Sequence, residues 1–294
     1  MKKIFLNFCL TIICISSTNA QLLWKITGNG LKHPSYLFGT HHLIPLQFLD
    51  SVPGLYKAFN ECEIVVGEMV MSNIDATAKI QQAAIMPDHI KMSDLLSDEE
   101  YKKIDTELKS VLKMGLKELS IMNPSLILTL YKMEYYKKLT GYSDETQSDS
   151  YFQLVATEKE KKVVGLETID QQIKILFGNG NLERQADILV ETIQKKDSFL
   201  NEIDTLNSLY KSGKIEELIK ISKQKGNLAD FTQEEYSVLV DNRNKDWVTK
   251  LPRLFDENSC FVAVGALHLG GENGLIKLLG KAGYKVKAVT ISNP

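Results

Sequence analysis

The apolar positions divide the chain into short β-branched runs toward its two ends and a long stretch of helical spacing between them. Residues 22–26 and 36–38 are apolar runs on either side of Gly28-Asn29-Gly30, and this pattern predicts a hairpin. Residues 64–66, 163–166, 261–264 and 286–291 are short, apolar and β-branched, as expected of strands covered on both faces of an α/β sheet. Between Asp75 and Leu251 the spacing becomes helical. Ser93-Asp94 with Glu99 and Glu100 opens one helix, Pro124 another, and residues 182–210 supply a long one. Breaks fall at the polar stretch 141–150 and at Gly178-Asn179-Gly180-Asn181. The expected fold is an α/β core, a mixed and mostly parallel sheet, carrying a large helical insertion or cap over about residues 75–250. No repeat and no low-complexity linker divides the chain, so residues 21–294 read as one domain. Strand 261–264, helix 275–282 and strand 286–291 make a βαβ unit, and such units place ligands at strand C-terminal ends.

The first twenty residues stand apart from this pattern. Met1-Lys2-Lys3 is a basic start, 4–15 is an apolar run too short for a comfortable span, and Thr18 and Ala20 are small residues where a signal peptidase reads. They are expected to be a secretory signal cleaved after Ala20, leaving a secreted or periplasmic chain that starts at Gln21. A retained anchor is the alternative, and no later stretch is long enough to span a bilayer. The 294 residues carry 35 Lys and Arg against 37 Asp and Glu, so no general attraction to nucleic acid is expected. A peptide, protein or small-molecule partner fits this balance better. Of four cysteines, Cys62 and Cys260 remain after the leader. Each lies five residues before a glycine that ends a strand, Gly67 and Gly265. In parallel neighbouring strands that count would set the thiols side by side, which leaves a disulfide and two free buried thiols as equal readings.

Three strands end in a glycine followed closely by chemistry-bearing residues: Phe38-Gly39-Thr40-His41-His42, Val66-Gly67-Glu68 and Val264-Gly265-Ala266-Leu267-His268. Two of them read Gly-x-x-His, and a fourth strand adds Gly165-Leu166-Glu167. Imidazoles and carboxylates gathered from several strand ends suit a divalent metal, so His42, Glu68 and His268 are the candidate ligands. A histidine that caps a helix or a solvated glutamate is the ordinary reading of any one of them. His41 and His42 point to opposite sides of an extended segment, and His42 has the matching spacing. His33 and His89 read as surface loop histidines. Arg243, Asn244 and Trp247 share a helical segment. Arg243 and Asn244 either hold a developing oxyanion, or belong to a salt-bridged face anchored by Trp247. No His-Glu-x-x-His, Gly-x-Ser-x-Gly or Walker motif is present.

Taken together, Tyr36-Leu37-Phe38-Gly39-Thr40-His41-His42, the strand ending in Glu68, Asp149 seven residues before Ala156, Gly165-Leu166-Glu167-Thr168 with Gln171-Gln172, Arg243-Asn244 with Trp247, and Val264-Gly265-Ala266-Leu267-His268 resemble the TraB/PrgY/GumN family, to which the TIKI proteases are related. The resemblance implies an α/β core with a helical insert and a metal-dependent hydrolase site built from both Gly-x-x-His histidines and a glutamate. For the TIKI members it implies cleavage of peptide bonds near a protein N-terminus. Carried onto this chain, it gives His42, His268 and Glu68 as ligands of an ion such as Mn, Co or Zn. Glu167 becomes a general base or further ligand, with Arg243 and Asn244 as neighbours. The expected activity is a peptidase. A non-catalytic protein that sequesters a peptide, and a metal-independent hydrolase like the erythromycin esterases, are the alternatives.

Overall fold

A computed structural model describes residues 21–71, 74–87, 89–143, 146–177, 181–224 and 230–290. The leader and the break at 178–180 lie outside the described residues. Six strands form one sheet: β1 (Leu23–Gly28), β2 (Ser35–Thr40), β3 (Ile64–Gly67), β4 (Lys162–Gly165), β5 (Cys260–Gly265) and β6 (Tyr284–Ala288), in the order β4-β3-β5-β2-β1-β6. Strands β4, β3, β5 and β2 run parallel, while β1 is antiparallel to both β2 and β6. The sheet is thus mixed and mostly parallel, as the runs of valine and isoleucine imply. Its central strands are covered on both faces, with every residue of β2 and β3 buried. Phe38, Phe59, Phe152 and Phe261 interlock over it with ring centroids 4.9–6.2 Å apart.

Helices fill most of the chain between β3 and β5, and a second apolar cluster lies within them, centred on Ile104, Leu108, Ile127, Tyr131 and Leu189. Local chemistry sets their ends. Ser97 and Glu100 form a reciprocal capping box for Asp98–Leu112. Pro124 opens Pro124–Thr140 behind an Asn123 cap, and Gly141 closes it at φ 69°, a conformation that glycine adopts without strain. Among the described residues no helix is long and apolar enough to cross a membrane.

Four local expectations change. The helix expected over 182–210 is two, Leu182–Gln194 and Lys196–Lys211, meeting at Lys195, whose ψ of 22° opens the backbone. The break lets Leu189 and Ile193 on one side, and Phe199 and Ile203 on the other, enter the same core. The polar stretch 141–150, expected to be a loop throughout, is helical from Ser148, as the start of Ser148–Glu158. The last strand lies two residues earlier than its apolar run suggests, since pairing of Gly28 with Tyr284 and Trp24 with Ala288 sets its extent. It also returns beyond β2 and β1 rather than beside β5. Finally, β3 and β5 are parallel neighbours, but Ile64, not Cys62, pairs with Cys260. Gly67 pairs with Ala263, so β5 runs two residues past the end of β3 and counting back from each glycine loses the register. Both cysteines are free and buried. Burial pushes each thiol up to about 12, with Cys260 adding to the shift of Cys62.

Candidate functional site

The C-terminal ends of β4, β3, β5 and β2 lie side by side, and the residues that follow them come from distant parts of the chain. Glu68 follows Gly67 and turns toward β5, where its Oε1 accepts the Gly265 N–H at 2.9 Å. Gly39 has to lack a side chain. A Cβ there would sit 2.3 Å from Leu269 Cδ1 and 3.1 Å from Ala266 Cα, in the short turn Ala266–His268 that carries the second histidine. The first Gly-x-x-His therefore makes room for the second.

Arg243 enters from the helix Asn242–Glu257. The turn just before it, Ser237–Asp241, is wound wide, with the Asn242 N–H bonded to the Ser237 carbonyl five residues back. All five guanidinium N–H groups find acceptors. Nε donates to Glu167 Oε1 at 2.7 Å, and Nη2 donates to Glu167 Oε2 at 3.0 Å and to Glu68 Oε2 at 2.5 Å. Nη1 donates to the Leu239 carbonyl at 3.1 Å and lies 3.3 Å from His268 Nε2. The guanidinium also stacks on Trp247, 4.7 Å from its ring. Glu167 is held on every side. Trp247 Nε1 donates to Oε1 at 2.8 Å and Gln172 Nε2 to Oε2 at 2.6 Å, while the Thr168–Gln171 capping box fixes the helix start behind it. In this arrangement Glu167 anchors Arg243.

Asn244 decides the state of His268. Its Nδ2 donates to the carbonyls of His268 at 3.1 Å and Asn273 at 2.8 Å, so the atom 2.7 Å from His268 Nδ1 is the amide oxygen, an acceptor. The proton of His268 is therefore on Nδ1, and Nε2 presents a bare lone pair toward Arg243 and toward Glu68 Oε1, 3.8 Å away. Burial lowers His268 to about 4; Glu68 opposes that shift and Arg243 reinforces it. Burial alone would raise Glu68, yet His268, Arg243 and the Gly265 N–H bring it down to about 2.

These shifts give a signed expectation for acid. Between the ordinary imidazole value of 6.5 and about 4, the unfolded chain binds a proton that folded His268 refuses. Between 4.5 and about 2 the same holds for Glu68. In both windows stability falls as pH falls. His41 adds to the upper window, because burial, then His42, lowers it to about 4. In urea titrations across pH, His268→Gln should make the limb between about pH 6.5 and 4 shallower, with His41 keeping the remainder, and should also lessen the limb below it, because His268 is the first of the groups that lower Glu68. An unchanged upper limb would show that His268 is not held neutral.

The two adjacent histidines separate as an extended chain requires. His41 turns inward, its Nδ1 accepting the Leu43 N–H and its ring 5.0 Å from that of Tyr210. His42 turns outward, 60% exposed, with Nδ1 3.9 Å from Asp149 Oδ1. It does not join Glu68 and His268 in one cluster. Among the described residues no three His, Cys, Asp or Glu side chains converge as a metal site. The structure thus brings together Glu68, Glu167, Arg243, Asn244 and His268, with Trp247 beneath them, and sets His42 apart. His33 and His89 are exposed.

Several residues that shape the site carry no motif. Hydroxyls of Tyr210, Tyr142 and Tyr136 donate to the carbonyls of Gly39, His42 and Leu43 at 2.7, 3.3 and 3.4 Å. Ser148 Oγ contacts the backbone N–H and carbonyl of His41, both at 3.3 Å. Gln153 clasps the chain after Glu68, bonding the Met69 carbonyl and the Met71 N–H, each at 2.9 Å. Buried tyrosines and a buried glutamine are the trace such braces leave in a sequence, without saying what they hold. A groove of about 600 Å³ opens on the far side of the turn after His268, between Trp24, Ile215, Glu216 and Leu269–Glu272. None of the five clustered residues lines it.

Glu68 and His268 fit a divalent ion in chemistry: one oxygen and one nitrogen donor, both deprotonated at neutral pH, the imidazole set by a partner on its other nitrogen. Arg243 shares the same donor atoms, so an ion there competes with it.

No curated protein and no solved structure matches the chain. The model of the TraB/PrgY/gumN family matches residues 22–288, from the first residue before β1 to the end of β6. With nearly every residue from hairpin to last strand inside that match, the chain belongs to the TraB/PrgY/gumN family.

Proposed function

We propose that this chain is an exported, metal-dependent hydrolase of peptide bonds, with its reacting centre at the ends of β3 and β5. The observation that supports this most is the state of His268, a neutral imidazole locked by Asn244 with its lone pair toward an ionised Glu68. Glu68 and His268 would hold the ion, and His42, two residues past the end of β2, is the third candidate donor. A divalent ion bound there supplies Lewis acidity and lowers the pKa of water. Asn244 keeps the His268 proton away from the centre, Arg243 keeps Glu68 charged, and Glu167 with Trp247 keeps Arg243 in place.

The test is metal content together with the fate of a peptide. The chain from Gln21, purified without chelator or tag histidines, should hold near-stoichiometric Mn, Fe, Co, Ni, Cu or Zn. His268→Ala should lose the ion, and so should His42→Ala if it is the third donor. The loaded protein should cut members of a peptide library, and a chelator should stop it. No binding even after reconstitution, with peptides cut all the same, would favour a metal-independent hydrolase. Peptides bound and recovered intact would favour a sequestering protein.

A further inference from the structure

Asp149 stands in the first turn of the helix Ser148–Glu158, where a carboxylate is favourable toward the helix N-terminus. That position does not account for its Oδ1, which is buried and has no hydrogen-bond partner. A carboxylate oxygen removed from water without a donor is costly, and such atoms call for an explanation. Among the described residues, the imidazole of His42 lies close to it, with Nδ1 3.9 Å from Oδ1. The backbone on both sides is already fixed: Ser148 Oγ grips the His41 N–H and carbonyl, and Tyr142 holds the His42 carbonyl. Nδ1 stands about 1 Å beyond hydrogen-bond distance of Oδ1, so a small movement of the His42 side chain would close the contact.

We propose that Asp149 is a positioning residue for His42, accepting a hydrogen bond from its Nδ1–H and so leaving Nε2 as the free lone pair. This repeats at the first Gly-x-x-His what Asn244 does at the second, where Oδ1 lies 2.7 Å from His268 Nδ1. Each histidine is then paired with an oxygen from a helix outside the sheet, and each presents the same nitrogen for binding. The proposal deepens the hydrolase reading, because its purpose rests on His42 acting at that site, but the geometry it asserts needs neither metal nor substrate.

The test reads the tautomer directly. In the metal-free chain from Gln21, with nitrogen-labelled imidazoles and alkaline solution to keep them neutral, long-range proton–nitrogen correlations report which ring nitrogen carries the proton. His42 should show Nδ1–H in the parent chain. Asp149→Ala should return it to the mixture dominated by Nε2–H that free imidazole prefers, and Asp149→Asn, which keeps an acceptor oxygen, should preserve Nδ1–H. His268 should remain Nδ1–H throughout, which certifies the fold of each variant. A parent His42 that already shows Nε2–H, or that is the same in Asp149→Ala, overturns the proposal. If the hydrolase reading fails while the tautomer behaves as described, only the purpose of the dyad is lost. If both hold, Asp149→Ala should lower metal affinity or turnover about 10–100-fold.

Discussion

Arg243→Ala should destabilise the fold by about 3–5 kcal/mol, read as a lower urea midpoint with an unchanged slope. The reason is the pair of charges left behind. Glu167 is buried and Glu68 partly so, and both lean on this one guanidinium. Removing it leaves two carboxylates facing each other without a counter-ion, and one of them must take up a proton. The loss should therefore shrink in acid. Arg243→Met should do no better than alanine, since it restores bulk without charge. Combining it with Glu68→Gln and Glu167→Gln should recover much of the loss, because a neutral trio has no ion to desolvate. A single Arg243→Ala that unfolds like the parent would mean that Glu68 and Glu167 are solvated in solution, contrary to the packing described. High salt should change little, because screening reaches exposed charges far more than this group.

Trp247 should show two separable contributions. Its indole is fully buried beneath His268, with ring centroids 4.4 Å apart, and its Nε1 donates to Glu167. Trp247→Ala should cost about 3–5 kcal/mol through the lost packing and the cavity. Trp247→Phe keeps most of the ring and removes the donor, so about 1–3 kcal/mol is expected from the lost hydrogen bond to a charged acceptor, with Glu167 Oε1 left to Arg243 Nε alone. The two losses at Arg243 and Trp247 should not add, because both side chains act on the same oxygen of Glu167. A double-mutant cycle in urea that closes to zero coupling would contradict that shared oxygen.

The parts of this fold that depend on neighbouring residues were legible in the chain. Valine-rich strands and Pro124 at a helix start act within a few residues and appear where their chemistry places them, whereas the start expected at Ser93-Asp94 falls at Ser97, because Ser93 and Asp94 belong to the separate short helix Met92–Leu95. Residues beside strand ends were legible as candidates for the same reason, since a parallel sheet brings such ends to one edge. What could not be read is which acceptor each side chain meets. The Arg243–Glu68 contact spans 175 residues and the Tyr210–Gly39 bond 171, and both depend on how helices pack rather than on any local spacing. The register of β3 against β5 was lost in the same way, because two extra residues at the end of β5 are invisible until the strands are laid together. Arg243 and Trp247 illustrate the limit well. The functional and structural readings of that helix face are not alternatives, for one salt-bridged, tryptophan-backed arginine also borders His268.

The strand order has a consequence for how the chain assembles. β5 lies between β2 and β3, which precede it by more than half the chain. During synthesis β2 and β3 emerge early yet share no edge with each other, so the middle of the sheet stays open until the segment after Ser259 arrives to fill it. The same late segment brings Gly265 and His268, and the helix just before it brings Arg243. Glu68 therefore remains in water, where its charge costs nothing, until strand and guanidinium reach it almost together. Ribosome-bound fragments that end before Cys260 should expose the unpaired edges of β2 and of the valine-rich β3. In this topology the cluster of Glu68, Arg243 and His268 is completed in the same event that closes the sheet.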